Sequence, residues 1–301
     1  MGFYAKSQCG RSRIIVVSEA LRQETALGRP VPEPSRSNAL STFPVGSRGT
    51  ALVTGASRRV GRAVAVELAR QGFGLLLTYR SRGSECVGTA RMATEAARAA
   101  GHAIETACVE LDLGDVAGAE SFARAVEGAR VARGASLDAI AHNASAYEET
   151  PLDAIDPAVV ESFHRIEVVS PLVITERLRG ALASSRLEGG GAVVFFSDIH
   201  ALGRARPGFA AYNLAKSAVD TLARQLAVEL APKVRVHCIA PGVVMWPDDF
   251  PEETKAQILA RTPLARAGTP EEAARLVRFL ILEATYSTGG TITIDGGRSL
   301  R

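Results

Sequence analysis

Ala51-Leu-Val-Thr54-Gly55-Ala56-Ser57-Arg58-Arg59-Val60-Gly61-Arg62 is the stretch on which the fold turns. An apolar run fit for a buried strand passes into a glycine turn, and a helical pattern starts on the far side. That order aims backbone N–H groups and the positive end of a helix dipole at one point, where a phosphate is held. Outward from it the chain keeps a βα rhythm. Strands are expected near 50–54, 73–79, 103–109, 137–141, 191–196, 234–239 and 291–294, and helices near 60–71, 86–100, 116–130, 158–183, 211–230 and 270–281. The alternation predicts the α/β class: a single doubly wound Rossmann-type domain, a seven-stranded parallel sheet with helices on both faces. Ligands of such a sheet lie beyond the carboxyl ends of its strands.

A second stretch, Phe195-Phe-Ser197-Asp198-Ile-His200 followed by a Gly/Arg/Pro loop and Tyr212-Asn-Leu-Ala-Lys216, supplies the chemistry. Tyr212 and Lys216 stand four apart and share one helix face. An ammonium beside a phenol favours the phenolate, so the spacing predicts a tyrosine pKa lowered toward working pH, as a general acid needs.

The glycine turn together with the distant Tyr-x-x-x-Lys resembles the classical short-chain dehydrogenase/reductase family, over roughly residues 48 to 301. That family's usual turn is Thr-Gly-x-x-x-Gly-x-Gly. Here Gly55 and Gly61 remain while Arg59 replaces the middle glycine, as in the family's pteridine reductase branch. The resemblance implies a dinucleotide bound by Gly55, Ser57, Arg58, Arg59, Val60 and Gly61. After the second strand come Tyr79, Arg80 and Ser81, with no acid before Glu85 to take a ribose 2′-OH. Arg80 and Ser81, with Arg58 or Arg82, instead suit a 2′-phosphate, which makes NADPH the expected cofactor and reduction the expected direction.

By the same resemblance, Asp112 and Leu113 meet the adenine ring, Asn143, Ala144 and Ser145 stand beside the cofactor, and Pro241, Gly242 and Val244 close over it. His142 is expected to pack, not to catalyse. In ordinary members a serine thirteen residues before the tyrosine donates to the substrate carbonyl; here that position is Ile199. Ser-Asp-Ile-His-Ala is similar to pteridine and dihydromonapterin reductases, in which an aspartate takes the serine's place, so Asp198 is the candidate and Ser197 the alternative. An ionised carboxylate cannot donate to a ketone oxygen, but it accepts from ring N–H groups.

Asp198, Tyr212 and Lys216 are therefore the expected catalytic residues. Tyr147 is expected to sandwich a pterin, beside Arg59 and Trp246, the latter in a substrate lid. The expected reaction is reduction of dihydropterins, and of dihydrofolate. A ketone or 3-oxoacyl reductase is one alternative, and an NADPH-binding regulatory protein of little activity is a second. One departure bears on that second alternative: the family's Asn-x-x-x-Pro reads Glu167-Val-Val-Ser-Pro171 here. A glutamate at that position either holds the proton-relaying water or pairs with Lys216. The resemblance also implies a homotetramer, with the Asp295-Gly-Gly-Arg-Ser-Leu300 tail near a neighbouring subunit.

Composition narrows the field. The 301 residues are 47% apolar and carry a net charge of +3, which fits neither a nucleic-acid footprint nor general disorder. No apolar run reaches the roughly 18 residues of a membrane span. Cys9, Cys86, Cys108 and Cys238 are scattered, with no Cys-x-x-Cys and no clustering with histidine, so neither a disulfide framework nor a metal site is expected, and a reducing cytoplasm is. Residues 1–48, rich in Arg, Ser and Pro with one apolar cluster at 14–17, are expected to be a flexible arm, and 49–301 the reductase domain.

Overall fold

The computed structural model describes residues 14–17 as backbone, and residues 42–203 and 205–301 in full. Seven parallel strands form the sheet: β2 (Gly49–Val53), β3 (Phe73–Tyr79), β4 (Thr106–Glu110), β5 (Ala139–His142), β6 (Gly191–Phe196), β7 (Val234–Pro241) and β8 (Thr291–Ile294). An eighth strand, β1 (Ile14–Val17), adds to the free edge of β4 in antiparallel sense. The sheet order is β1-β4-β3-β2-β5-β6-β7-β8. The chain runs outward from β2 through β3 to β4, then returns to β5 on the other side of β2. That reversal opens a crevice between the carboxyl ends of β2 and β5.

Most of the expected arm lies outside the described residues, but β1 pairs with the sheet. Phe43 is fully buried, and Thr50 Oγ1 donates to Pro44 O at 2.7 Å, so packing begins before residue 49.

β3 and β6 are buried along their whole length, as central parallel strands covered on both faces must be. Alternation divides their side chains between two cores. Leu52, Leu76, Ile140 and Val193 face helices α3 (Val116–Arg133), α5 (Ser170–Ala183) and α6 (Ala210–Glu229). Ala51, Val53, Leu75, Leu77 and Val194 face α1 (Arg59–Arg70), α2 (Gly83–Ala99) and α8 (Pro270–Leu282). On that second side Ala65, Ala69, Ala90, Ala93 and Ala273 leave little bulk between helix and strand, so the layers approach closely.

The expected helix 158–183 is one continuous rod with a wide turn in it. Helix α4 (Pro157–His164), capped by Asp156, passes through a π turn at Arg165–Val169 into α5. A single π turn inside an α-helix frequently marks a functional site. A short helix, α7 (Glu252–Ala260), follows the expected lid and has no buried residue.

Candidate active site

The glycine turn closes the crevice at the switch between β2 and β5. Gly55 has φ +67°, and a Cβ there would lie 2.8 Å from Ala144 Cα. A Cβ on Gly61 would lie 2.3 Å from Gly55 O and 2.6 Å from Asn143 Nδ2. Both positions therefore need glycine for close approach. Asn143 Nδ2 donates to Thr54 O at 3.1 Å and Gly55 O at 3.2 Å, and Thr54 Oγ1 accepts from the N–H groups of Asn143 and Ala144, each at 3.0 Å. These bonds hold the two strand ends at a fixed separation. The cradle fits a dinucleotide pyrophosphate: bare backbone facing the first turn of a helix.

Arg59 stands in the left-handed region with φ 53°, a conformation that glycine adopts at no steric cost. Its guanidinium reaches toward the lid, 3.7 Å from Asp248. Arg58 and Arg80 are exposed, and among the described residues no ion pair engages either; Arg82 is held by Glu85 at 2.7 Å. Ser57 is buried and its hydroxyl donates to Arg82 O at 3.0 Å, so it ties the glycine turn to the loop after β3. Ser81, Tyr79 and Val60 lie on that same wall, Tyr79 buried and Val60 packed on the core. Asp112 Oδ1 accepts from Gly114 N at 2.8 Å, and Leu113 O accepts from Ser170 Oγ at 2.7 Å.

Tyr212 and Lys216 lie on the buried face of α6, only 6% and 2% exposed. Tyr212 Oη donates to Asp198 Oδ2 at 3.0 Å, and Asp198 Oδ1 accepts from His200 N at 2.8 Å. Ser197 points elsewhere: it is buried, and its hydroxyl donates to Lys216 O at 2.9 Å. Lys216 Nζ donates to Phe196 O and to Glu167 Oε2, each at 2.8 Å. The other Glu167 oxygen accepts from Ser145 Oγ at 2.6 Å and Ala146 N at 3.0 Å. The direct pair is thus the one formed of the two roles open to Glu167.

The expected lowering of the tyrosine pKa is corrected. Burial first, then the Asp198 and Glu167 carboxylates, push the Tyr212 phenol well above the ordinary value of 10. Lys216 is present, but its charge is answered by Glu167. His142 behaves as expected of a packing residue: it stacks on Phe195 with ring centroids 4.8 Å apart, Nε2 lies 2.9 Å from Thr175 Oγ1, and burial drops its pKa to about 3.

Asp198, Tyr212, Arg59, Tyr147, Trp246 and the Pro241–Gly242 turn line one cavity, with Val244 buried just behind. Tyr147 is held edge-on to Tyr212 (centroids 5.2 Å) and against Phe209 (5.1 Å). Its hydroxyl accepts from Arg206 at 2.5 Å, and Arg206 lies over the Phe209 ring at 4.0 Å. The bond from Thr150 N to Gly208 O, 2.7 Å, fastens the two loops that carry these rings. Trp246 stacks on Phe250 at 5.2 Å. Arg206, Phe209, Phe250 and Arg298 are additions to the expected site. The first two sit in an aperiodic loop, and Arg298 belongs to the tail expected beside another subunit. Among the described residues no group of three or more His, Cys, Asp or Glu converges on a point where a metal would bind, and no helix is long and apolar enough to cross a membrane.

A doubly wound sheet with a phosphate cradle at its switch point and a Tyr–Lys pair across the crevice defines a nicotinamide-dependent oxidoreductase. A family profile described as enoyl-(acyl carrier protein) reductase matches residues 55–299. The human dehydrogenase/reductase SDR family member 4 is 31% identical over 83% of this chain and 87% of its own length. The 3-oxoacyl-[acyl-carrier-protein] reductase FabG of Staphylococcus aureus is 29% identical over 82% of this chain and 97% of its own. A short-chain type dehydrogenase/reductase structure from Mycobacterium ulcerans superposes with a TM-score of 0.75 at 29% identity, covering 85% of this chain and 91% of that one. The chain belongs to the short-chain dehydrogenase/reductase family.

Proposed function

We propose that the chain is an NADPH-dependent reductase of 7,8-dihydropterins, with dihydrofolate as a further substrate carrying the same ring. One observation carries this: an acid, Asp198, stands at the phenol of Tyr212, while the neighbouring hydroxyl of Ser197 is engaged by the Lys216 carbonyl. A C=N bond in a flat ring needs hydride at carbon and a proton at nitrogen, with acceptors for the ring's N–H groups. When bound, the reduced nicotinamide supplies the hydride. Tyr212 supplies the proton, and Asp198 accepts from the ring and returns a proton from solvent to Tyr212. Tyr147 and Trp246 give the ring stacking faces, worth roughly 0.5–1.5 kcal/mol beyond area burial. Arg59 faces the pyrophosphate and the pterin edge.

For the cofactor, Arg58, Arg80 and Ser81 take the 2′-phosphate. Gly55, Ser57, Val60 and Gly61 shape the pyrophosphate cradle, and Tyr79, Asp112 and Leu113 flank the adenine. Asn143, Ala144, Ser145, Pro241, Gly242 and Val244 border the nicotinamide, and Lys216 reaches its ribose.

Ketone or 3-oxoacyl reduction is the second reading, favoured by the similarity to the 3-oxoacyl-[acyl-carrier-protein] reductase. It requires Asp198 to carry a proton when the carbonyl binds, since a carboxylate repels a forming alkoxide. NADPH oxidation measured side by side with dihydrobiopterin, dihydrofolate and a panel of β-keto thioesters separates the two. Turnover of the thioesters with none of the pterins overturns the first reading, and NADPH binding without any turnover leaves a regulatory protein.

A further inference from the structure

Lys216 is buried, and two of its three N–H donors are fixed by Glu167 and the Phe196 carbonyl at 2.8 Å each. Glu167 is buried as deeply, 3% exposed, and its second oxygen binds Ser145 Oγ and Ala146 N. The carboxylate therefore joins helix α6 to the loop that leaves β5 on the cofactor side. It makes that reach from the π turn, whose exit is fastened where Ser170 Oγ donates to Leu113 O at 2.7 Å. Nothing in the proton transfer assigned above uses this residue.

We propose that Glu167 is a positioning residue that neutralises Lys216 and locks it to the Ser145–Ala146 turn, so that Tyr212 works as a neutral phenol resupplied with protons from Asp198. The inference rests on Tyr212 as proton donor and is independent of which substrate it serves. Four groups face the phenol: Asp198 from the turn after β6, Glu167 from the π turn, Lys216 from its own helix and Tyr147 from the loop after β5, with Arg206 bound to Tyr147. The Lys216 ammonium lies 5.8 Å from the phenol ring, and an opposite charge lies 2.8 Å from that ammonium. At such separations the two largely cancel at the ring. The step balances simply. The Tyr212 O–H bond breaks as the product N–H forms; the phenolate then regains a proton from water, handed on through the Asp198 carboxylate, which ends as it began.

The test is an ultraviolet phenolate titration of the free protein, wild type minus Tyr212→Phe, beside the pH profile of kcat/KM. In the wild type no Tyr212 phenolate is expected below pH 10. In Glu167→Gln the single amide oxygen still accepts from Ser145 and Ala146 while the NH2 group faces Lys216, so both the charge and the bond to Lys216 are gone. Lys216 then acts on the phenol, and its titration falls by about one to two pH units, taking the alkaline limb of the profile with it. A folded Glu167→Gln protein with both curves unmoved overturns the proposal. Should that variant fail to fold, Glu167→Asn, which also removes the charge, is read in the same way, and a Tyr212 phenolate forming clearly below pH 10 in the wild type overturns the proposal. Loss of pterin turnover with the titration as expected would instead fault the substrate assignment.

Discussion

Arg59 on the phosphate wall and Glu167 on the proton wall of the crevice both depart from the family pattern, and the two walls absorb them differently. On the phosphate wall, Arg59 in the place of a glycine keeps the left-handed backbone and sends its side chain outward, a third exposed, to a loose contact with the exposed Asp248. On the proton wall, Glu167 in the place of an asparagine is buried, and it engages a lysine, a serine and a backbone N–H. Water screens a charge at the surface, so that departure stays local. A buried charge must be paired and fully hydrogen-bonded, so it reorganises its surroundings.

The largest effect that tests this contrast belongs to the proton wall. Tyr212→Phe is expected to lower turnover by about 10²–10⁴-fold while NADPH still quenches Trp246, because the phenol donates a proton and the phosphate wall is untouched. Comparable turnover by the variant would rule out the proton route. Asp198→Asn comes next, with a loss of about 10²-fold, since an amide carries no transferable proton. Asp198→Ser sharpens the comparison of substrates: the ratio of β-keto thioester to pterin turnover should rise, and an unchanged ratio would show that the acid does not choose between them.

Much of this was legible in the sequence, and the failures have physical causes. The apolar runs of β3 and β6 are buried on both faces, so they show as continuous hydrophobic stretches that no surface segment imitates. Ile14–Val17 reads as an isolated apolar cluster, because its pairing with Val109–Thr106 depends on an edge that exists only after the sheet forms. Helix α7 buries nothing and so leaves no periodic trace. In the site, the four-residue spacing sets Tyr212 and Lys216 on one face, and the Asp198 position follows from the motif. The Glu167–Lys216 bond spans 49 residues. The direction taken by the Ser197 hydroxyl is a rotamer choice. Neither is written in local pattern, and it is burial first, then the Asp198 and Glu167 carboxylates, that reversed the expected shift of the Tyr212 pKa.

On the phosphate wall the effects are smaller and concern selectivity. Arg80→Asp is expected to lower the ratio of kcat/KM for NADPH over NADH by about tenfold or more. On the proposed cofactor placement it removes a charge-assisted contact to the 2′-phosphate, worth roughly 1.5–3 kcal/mol, and offers an acceptor to a ribose hydroxyl. The pH profile with NADPH should keep its shape, because the proton wall is unaltered. A ratio left unchanged would separate Arg80 from the cofactor.

Arg59→Gly gives the smallest effect and the closest comparison with Glu167→Gln. A side chain at φ 53° pays a steric cost that glycine avoids, about 1 kcal/mol, and the contact given up is an exposed pair at 3.7 Å of little worth. Glycine's greater freedom in the unfolded chain offsets part of that gain, so the melting temperature should rise by at most about 2 °C. On the cofactor placement proposed above, the same change removes a guanidinium from the pyrophosphate, so the dissociation constant for NADPH should rise about tenfold, read by Trp246 fluorescence. Glu167→Gln should instead lower stability, by about 3 kcal/mol for the broken buried pair, and leave the NADPH dissociation constant unchanged because the phosphate cradle is intact. If Arg59→Gly instead destabilised the fold by that much, its guanidinium would be part of the packed structure, and the division into an open wall and a closed wall would fail.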